Sequence, residues 1–300
     1  MSMEKIRIAA LDIGGTNIKG CLFEDGKPIQ KAEIPTEAFR GAPDMLERAA
    51  KLLEEFLPFD VIGISTAGQV DPQKGSIRYA NDNIPKYTGT DVKGFFEGKF
   101  GVKTAVVNDV YSAALGEGKF GAAVGEQDYI CVTYGTGIGG GVVLNGELYY
   151  GAGKSAGVMI GGIITHPEEM NPTDHFCGTY ERKASATALV SLGKELEPEL
   201  NSGRAIFSRL DEDKVRAVVD KWLDEVAAGL CTLIHSYNIP CIVLGGGVME
   251  QPYAIEGAKV RVAKYVIDGF AGAKIVGAKL GNMAGLYGAA SLAEQLLLLN

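Results

Sequence analysis

The pair Asn108-Asp109 is the clearest acid–base feature of the sequence. It follows the apolar run 104–107 and opens a short helical pattern over 109–117, which predicts a carboxylate at the rim of a strand. A carboxylate in that position can take the proton of a substrate hydroxyl, as a general base does. Aspartate is also a common helix cap, and that purely structural role is the alternative interpretation of Asp109.

Two glycine-rich turns have the composition of anion-binding sites. Gly14-Gly15-Thr16 lies between two apolar runs, and Gly135-Thr136-Gly137 repeats the arrangement. Glycine lets successive backbone amides converge without a Cβ atom in the way, and threonine adds a hydroxyl donor. We expect two such turns, from two domains, to hold one triphosphate, with Asp12 beside the first turn. The alternative is a pair of tight hairpins without a ligand.

The second turn also fits the G-x-G-x-x-G pattern of dinucleotide-binding folds, over residues 135–140. That pattern binds pyrophosphate only where a helix begins at the turn. Here an apolar strand and the hairpin signal Asn145-Gly146 follow instead. The sequence therefore excludes a dinucleotide fold of this type.

Residues 8–26 and 130–147 repeat one design: an apolar strand, a glycine turn, a second strand and a hairpin. In this alignment Asp12 matches Thr133, and Gly14 matches Gly135. Two copies of one unit predict two similar domains. We expect an N-terminal lobe over 1–118 and a C-terminal lobe over 119–300, with the last helix packing back on the N-terminal lobe.

Hydrophobic periodicity predicts further elements along the chain. Strands are expected at 6–11, 18–23, 61–64, 104–107, 129–133 and 241–244. Helices are expected at 44–57, 109–117, 186–196, 214–237 and 284–299.

The composition limits the class of protein. The chain has 300 residues, 46% of them hydrophobic and 22% charged, which excludes disorder. Its net charge of -8 disfavours a basic nucleic-acid groove. The apolar runs are shorter than the ~20 residues of a membrane helix. Five scattered cysteines without a CxxC pair are typical of a reduced, cytoplasmic chain. We therefore expect a small-molecule partner and neither nucleic acid nor membrane.

Four motifs together resemble the ROK family of bacterial sugar kinases, in order and in spacing. They are DIGGTNIK at 12–19, NDVYSAALGE at 108–117, TYGTGIGGG at 133–141 and VLGGGV at 243–248. The resemblance covers essentially the whole chain. It implies an α/β, actin-like (ribonuclease-H-like) ATPase fold, with ATP and sugar in a cleft between two lobes. Repressors of the family carry an N-terminal helix-turn-helix, for which this chain leaves no room before its first strand, so we expect a kinase.

The resemblance also implies roles for individual residues. Asp109 would be the catalytic base and Asn108 a sugar contact, while Asp12 would act on Mg²⁺ through water. The phosphate side would comprise Gly14, Gly15, Thr16, Lys19, Thr136 and Gly137. The adenosine side would comprise Gly245 and Gly246. Further sugar contacts would be Gly68, Asn81 and Glu181.

Two segments depart from the family pattern. Val158 and Gly161 stand where most members have a glutamate and a histidine, and residues 175–181 lack most of the zinc-binding thiols. We therefore expect no zinc site, although His166, His175 and Cys177 are candidate ligands. This loss resembles the zinc-less branch of the family, which includes β-glucoside kinases. Because the substitutions remove hydroxyl contacts and open space, we expect looser selection at sugar carbons 1 and 2.

The sequence as a whole predicts an ATP- and Mg²⁺-dependent kinase that phosphorylates the 6-hydroxyl of a hexose, and we expect a homodimer. The candidate substrates are glucose, N-acetylmannosamine and a β-glucoside. A fructokinase-like ketose kinase and a non-catalytic sugar sensor of the same family stay open as alternatives. A sensor, however, has no reason to keep Asp109 together with both phosphate turns.

Overall fold

A computed structural model describes residues 5–152 and 157–298. The described residues divide into two units. The first is drawn from Met1–Val124, Tyr150–Gly157 and Asn282–Asn300, and the second from Gly125–Tyr149 and Val158–Gly281. The boundary expected after residue 118 falls inside a helix, and the structure places it after Val124. The C-terminal residues belong to the first unit.

The strands, in chain order, are β1 (Arg7–Ile13), β2 (Asn17–Glu24), β3 (Lys27–Pro35), β4 (Val61–Thr66), β5 (Gln69–Val70), β6 (Ile77–Tyr79), β7 (Lys103–Asn108), β8 (Tyr129–Tyr134), β9 (Ile138–Leu144), β10 (Glu147–Leu148), β11 (Cys241–Gly245) and β12 (Lys274–Gly277). The first unit has a five-stranded sheet in the order β3-β2-β1-β4-β7. Strands β1, β4 and β7 are parallel, whereas β2 and β3 are antiparallel to their neighbours. Strands β5 and β6 form a separate pair.

The helices, in chain order, are α1 (Ala42–Glu54), α2 (Val92–Phe100), α3 (Asp109–Phe120), α4 (Tyr180–Ala184), α5 (Ala186–Leu196), α6 (Gly203–Phe207), α7 (Asp213–Tyr237), α8 (Pro252–Tyr265) and α9 (Ala284–Leu298). In the described part of the chain, no helix combines the length and apolar character that a membrane crossing requires.

The central strand β1 of the first unit is buried on both faces. Because side chains alternate along a strand, Ala9 and Leu11 pack in the core that contains α1, while Ile8 and Ala10 pack with α9. The sheet is thus covered by helices on both sides, as a largely parallel sheet requires. The chain closes the second of these layers only with its last helix.

Helix α9 approaches its neighbours at backbone distance. A Cβ atom added at Gly288 would overlap the carbonyl oxygen of Ser112 in α3, and one added at Gly63 in β4 would overlap the carbonyl of Ala289. Glycine at both positions removes the side chain that would hold the elements apart. The packing of α9 therefore fixes α3, the helix that begins at Asp109.

The second unit repeats the first sheet. Its strands lie in the order β10-β9-β8-β11-β12, with β8, β11 and β12 parallel and with β9 and β10 antiparallel. Asp12 and Thr133 hold equivalent places, since each lies one residue before the last pair of its hairpin. The internal repeat is therefore confirmed by the two matching sheets.

The core of the second unit is built around two aromatic side chains. Trp222 of α7 is fully buried and donates its indole N–H to the carbonyl of Ala184 at 2.9 Å. The hydroxyl of Tyr180 donates to the carbonyl of Val226 at 2.9 Å. A buried polar atom is costly without a partner, so these bonds fix α4 against α7.

We predict that Gly288→Ala destabilises the fold by about 2 kcal/mol or more, because the new methyl group meets backbone that cannot move away. Gly98→Ala is the matched control: Gly98 lies in α2 with no atom within 4 Å of an added Cβ. That control should gain ~0.5–1 kcal/mol from helix propensity. Urea unfolding of both variants measures the difference, and a Gly288→Ala variant as stable as the control would contradict the packing described.

Candidate active site

The carboxyl ends of β1, β4 and β7 bring the first group of polar side chains together. In the register of these strands Asp12 lies beside Ser65, and Thr66 lies beside Asn108. Parallel strands share one carboxyl edge, which is where open α/β sheets bind ligands. Asp109 follows directly as the first residue of α3.

Asn108 joins the strand edge to the helix. Its side-chain oxygen accepts the backbone N–H of Val110 at 3.0 Å, and its side-chain nitrogen donates to the carbonyl of Gly68 at 2.9 Å. The helix cap is therefore Asn108, and the interpretation of Asp109 as the cap is wrong. Both ends of the Asn108 amide are engaged, so the geometry gives Asn108 a positioning role in addition to the expected sugar contact.

The Asp109 carboxyl has a raised pKa. Water reaches this side chain, but protein crowds its surroundings, and the resulting desolvation raises the pKa of Asp109 to about 6. The negative charge of Asp12 raises it further, whereas the N–H of Val110 lowers it. A carboxyl with a pKa near the working pH suits a general base.

Asp12 is held by two groups of the first unit. The hydroxyl of Ser65 donates to Oδ1 of Asp12 at 2.7 Å, and Lys19 lies across the β1–β2 pair from Asp12. Desolvation raises the pKa of Asp12, and both Ser65 and Lys19 oppose that rise. Mg²⁺ prefers oxygen ligands, one or two carboxylates and several waters. The half-buried Asp12 carboxylate, with Oδ1 bonded by Ser65, fits that donor set.

The first glycine turn is fastened through its carbonyl groups. The hydroxyl of Thr36 donates to the carbonyl of Gly14 at 2.6 Å, and the Thr36 amide donates to the carbonyl of Thr16 at 2.8 Å. Gly15 and Thr16 are exposed, and within residues 5–152 and 157–298 their amides donate no backbone hydrogen bond. Gly14 differs, because its N–H bonds the carbonyl of Asn17. The amides of residues 15 and 16 are thus available as hydrogen-bond donors.

The second glycine turn has the same design in the second unit. The amide of Gly135 donates to the carbonyl of Gly137 at 2.9 Å, and the hydroxyl of Thr187 donates to the carbonyl of Thr136 at 2.8 Å. In the described ranges the amides of Thr136 and Gly137 donate no backbone hydrogen bond. These two amides are therefore available as hydrogen-bond donors.

Glu181 lies at the second glycine turn. Its Oε2 accepts the backbone N–H of Ile138 at 2.8 Å, and a Cβ atom added at Gly137 would overlap its carboxylate. Gly137 is therefore needed for the close approach of this side chain. The predicted sugar contact and the predicted phosphate turn are adjacent in the structure.

The prediction that Gly161 opens space is wrong. Gly161 is buried, and a Cβ atom there would overlap the carbonyl of Ile138 and lie 3.1 Å from Oε2 of Glu181. Val158 packs against the core of the second unit. The room that a histidine would need at position 161 is thus filled, and Glu181 lies beside it as a hydrogen-bond acceptor.

Gly245 is the last residue of β11, and Gly246 follows it. Gly245 pairs with Thr133 in the sheet. Gly246 has a φ of 98°, and a Cβ atom there would overlap the backbone of Tyr134. Only glycine satisfies both conditions. The structure therefore brings the expected adenosine-side glycines next to the second phosphate turn.

The remaining predicted sugar contacts lie in the loops after β4. Gly68 has a φ of 93° and accepts the Asn108 side chain through its carbonyl. Asn81 is exposed, and its side chain accepts the amide of Asn83 at 3.3 Å. The buried hydroxyls of Thr66 and Tyr87 bond each other, which anchors this loop region to the end of β4.

Ser65, Thr66 and Tyr87 were not predicted from the sequence. The available signal was the Ser65-Thr66 pair at the end of the apolar run 61–64, since hydroxyls at the end of a buried strand point to a polar site. Tyr87 carried no such signal, because an isolated tyrosine in a loop is compatible with many roles.

The candidate zinc ligands do not converge. His166 lies 3.5 Å from Glu225, and Cys177 lies in the loop that is organised by Asp174. Among the residues that the structure describes, no group of three His, Cys, Asp or Glu side chains is gathered as a metal site would require. Residues 175–177 lie in a loop in which the amides of Phe176 and Cys177 donate to Asp174.

A cavity of about 540 Å³ adjoins the second turn. Thr136, Glu181, Ser185 and Lys221 are among its lining residues. Its volume lies in the range of small-molecule sites.

Two repeated five-stranded sheets, each with a glycine turn after its first strand, define the actin-like ATPase fold. A family model described as the ROK family matches residues 8–296. The chain therefore belongs to the ROK family, as its motifs predicted.

Named relatives extend over the full chain. A glucokinase of Thermotoga maritima is 29% identical over 318 residues, which cover 98% of this chain and 99% of the relative. A beta-glucoside kinase of Listeria monocytogenes is 31% identical over 298 residues, covering 95% and 96%. The crystal structure of a ROK family glucokinase from Streptomyces griseus, in complex with glucose and AMPPNP, has a TM-score of 0.81 at 26% identity and covers 96% of this chain and 99% of its own. The chain is a sugar kinase of the ROK family.

We predict that the raised pKa of Asp109 makes stability depend on pH. The pKa of Asp109 is about 6 in the folded state and ~3.9 in the unfolded state, so between these values the folded state binds a proton that the unfolded state has lost. The stability that this proton binding contributes is therefore lost as pH rises from about 4 to about 6. Asp109→Asn should therefore gain stability over the wild type across that window, as measured by urea unfolding at pH 4.5 and 7. Asp82→Asn, in an exposed loop, controls for the lost charge. A gain independent of pH would contradict the prediction.

Proposed function

We propose that this ROK sugar kinase transfers the γ-phosphate of ATP to the 6-hydroxyl of a hexose, with Mg²⁺ as cofactor. The observation that carries the proposal is the pair of carboxylates in the first unit. Asp109 begins α3 with a raised pKa, and Asp12 is held by Ser65 at the end of β1. A base and a metal-binding carboxylate are what phosphoryl transfer to an alcohol needs from side chains.

In the proposed reaction, Asp109 accepts the proton of the attacking hydroxyl. Asn108 keeps this carboxylate at the strand edge, because the Asn108 amide bonds both the start of α3 and Gly68. Positioning of this kind removes the need to orient base and hydroxyl during the reaction. Protonation of Asp109 below pH ~6 would abolish the base.

The remaining groups would stabilise the negative charge of the phosphates. Asp12 would hold Mg²⁺ through water, and the bound ion would neutralise the phosphate oxygens. The amides of Gly15 and Thr16 in one turn, and of Thr136 and Gly137 in the other, would donate to phosphate oxygens. Lys19 adds a positive charge beside Asp12, and Gly245 and Gly246 would border the adenosine.

The sugar would be bound by Asn108, Asp109, Gly68, Asn81 and Glu181. Named relatives act on glucose and on β-glucosides, which supports an aldohexose or its glucoside as substrate. Since Glu181 lies against Gly161, a carboxylate remains near the place of the missing histidine. We propose that this carboxylate selects for sugar hydroxyls.

A panel assay tests the substrate. We predict ATP-dependent phosphorylation of glucose, N-acetylmannosamine or methyl β-glucoside at O6, read by coupled ADP release and by NMR of the product. Fructose as the preferred acceptor would favour the ketose kinase. Sugar binding by calorimetry without turnover of any sugar would contradict the kinase and favour the sensor. The homodimer and the cytoplasmic location expected from the sequence stay predictions.

We predict that Asp109→Asn lowers kcat at least ~100-fold, because asparagine has the shape of aspartate but cannot accept the proton. The KM for ATP should change little, since Asp109 is assigned to the hydroxyl and not to the nucleotide. Asp82→Asn is the matched control and should retain wild-type kcat. Near-normal turnover of Asp109→Asn would remove Asp109 from the mechanism.

A further inference from the structure

The first turn of α9 lies against Asp12 and Ser65 of the first unit, and Gly285 is the point of contact. A Cβ atom added at Gly285 would lie 2.9 Å from Oδ1 of Asp12 and 3.1 Å from Oγ of Ser65. The backbone at this position is fixed, because the hydroxyl of Ser112 in α3 donates to the carbonyl of Gly285 at 2.7 Å. The helix therefore leaves space for the Asp12–Ser65 hydrogen bond but not for a Cβ atom at position 285.

The two oxygens of Asp12 have different surroundings. Oδ1 accepts the fully buried Ser65 hydroxyl and faces Gly285. Within 5–152 and 157–298, no hydrogen bond to Oδ2 is present. Ser65 is held in β4, which pairs with β1 at this residue. The carboxylate is thus turned so that Oδ1 belongs to the protein and Oδ2 is left for a ligand.

Helix propensity alone does not explain a glycine here. Helix α9 is rich in alanine, and alanine is favoured over glycine inside a helix by ~1 kcal/mol. At Gly288 the glycine is required by backbone contact, but at Gly285 the neighbouring atoms are the tips of two side chains. Side-chain tips can rotate away, so alanine at 285 would keep the fold and displace the carboxylate.

We propose that Gly285 and Ser65 are positioning residues that together fix the Asp12 carboxylate with Oδ2 directed to the hydration shell of Mg²⁺. The inference rests on the proposed function, in which Asp12 binds that ion through water. Groups that orient a metal-binding carboxylate typically change metal affinity by ~10–100-fold when they are removed. Glycine at position 285 is thus needed for the orientation of the metal-binding carboxylate.

The test measures metal binding directly. Mn²⁺ is titrated into each protein at one fixed, saturating concentration of ADP, and the electron paramagnetic resonance signal reports free Mn²⁺. We expect Gly285→Ala and Ser65→Ala each to bind Mn²⁺ ~10-fold more weakly than the wild type. Gly98→Ala, the exposed helical control, should bind like the wild type. Ser65→Ala introduces no clash, so it tests the proposal even if Gly285→Ala folds poorly.

A double-mutant cycle shows whether Gly285 acts through Asp12. In an Asp12→Asn background, Gly285→Ala should cause no further loss of Mn²⁺ affinity, because the carboxylate that it displaces is gone. An equal loss in both backgrounds would overturn the proposal, since the effect would then be a general distortion. Wild-type Mn²⁺ affinity in both single variants would overturn it as well.

Kinetics separate this inference from the proposed function. Gly285→Ala should need ~10-fold more Mg²⁺ for half-maximal activity, with an unchanged KM for the sugar. A wild-type protein that phosphorylates no sugar contradicts the proposed function, whereas Mn²⁺ binding still decides the role of Gly285. A wild-type kinase whose Gly285→Ala variant keeps normal Mg²⁺ dependence and Mn²⁺ affinity overturns only the inference drawn here.

Discussion

The parallel register of β1, β4 and β7 is the constraint on which the first unit depends. Because Asp12 pairs with Ser65 and Thr66 pairs with Asn108, the polar ends of these strands lie side by side. A shift of one residue in any of them would turn those side chains to the opposite face. The side chains of β1 are buried alternately on the two faces of the sheet, and this burial fixes the register. Packing of the core therefore determines where Asp12 and Asp109 lie.

The same arrangement separates the properties of two neighbouring carboxyls. Desolvation raises the pKa of both Asp12 and Asp109. At Asp12 the Ser65 hydroxyl and Lys19 counteract that effect, whereas the charge of Asp12 adds to it at Asp109. The pKa of both carboxyls lies above the ordinary aspartate value, and that of Asp109 reaches about 6. Pairs of titratable groups with different environments are a general source of acid–base function.

Much of this fold follows from the sequence, because its central strands and amphipathic helices have clear periodicity. Strand β3 was not predicted, since it lies at the sheet edge and is mostly exposed. Helices α2 and α8 were missed because few of their side chains are buried, which leaves a sparse apolar pattern. The site motifs identified Asp12, Asp109 and both turns. The hydrogen bond of Asn108 to Gly68, the position of Glu181 and the contact of Gly285 depend on residues 40 or more positions apart, and no local pattern encodes them.

The last helix has a consequence for synthesis of the chain. Helix α9 completes the layer that covers β1, β4 and α3, although more than 160 residues separate it from them in sequence. A ribosome releases the N-terminal strands long before α9 is made. The first unit therefore cannot complete its core until α9 has been made, and until then one apolar face of its sheet stays uncovered.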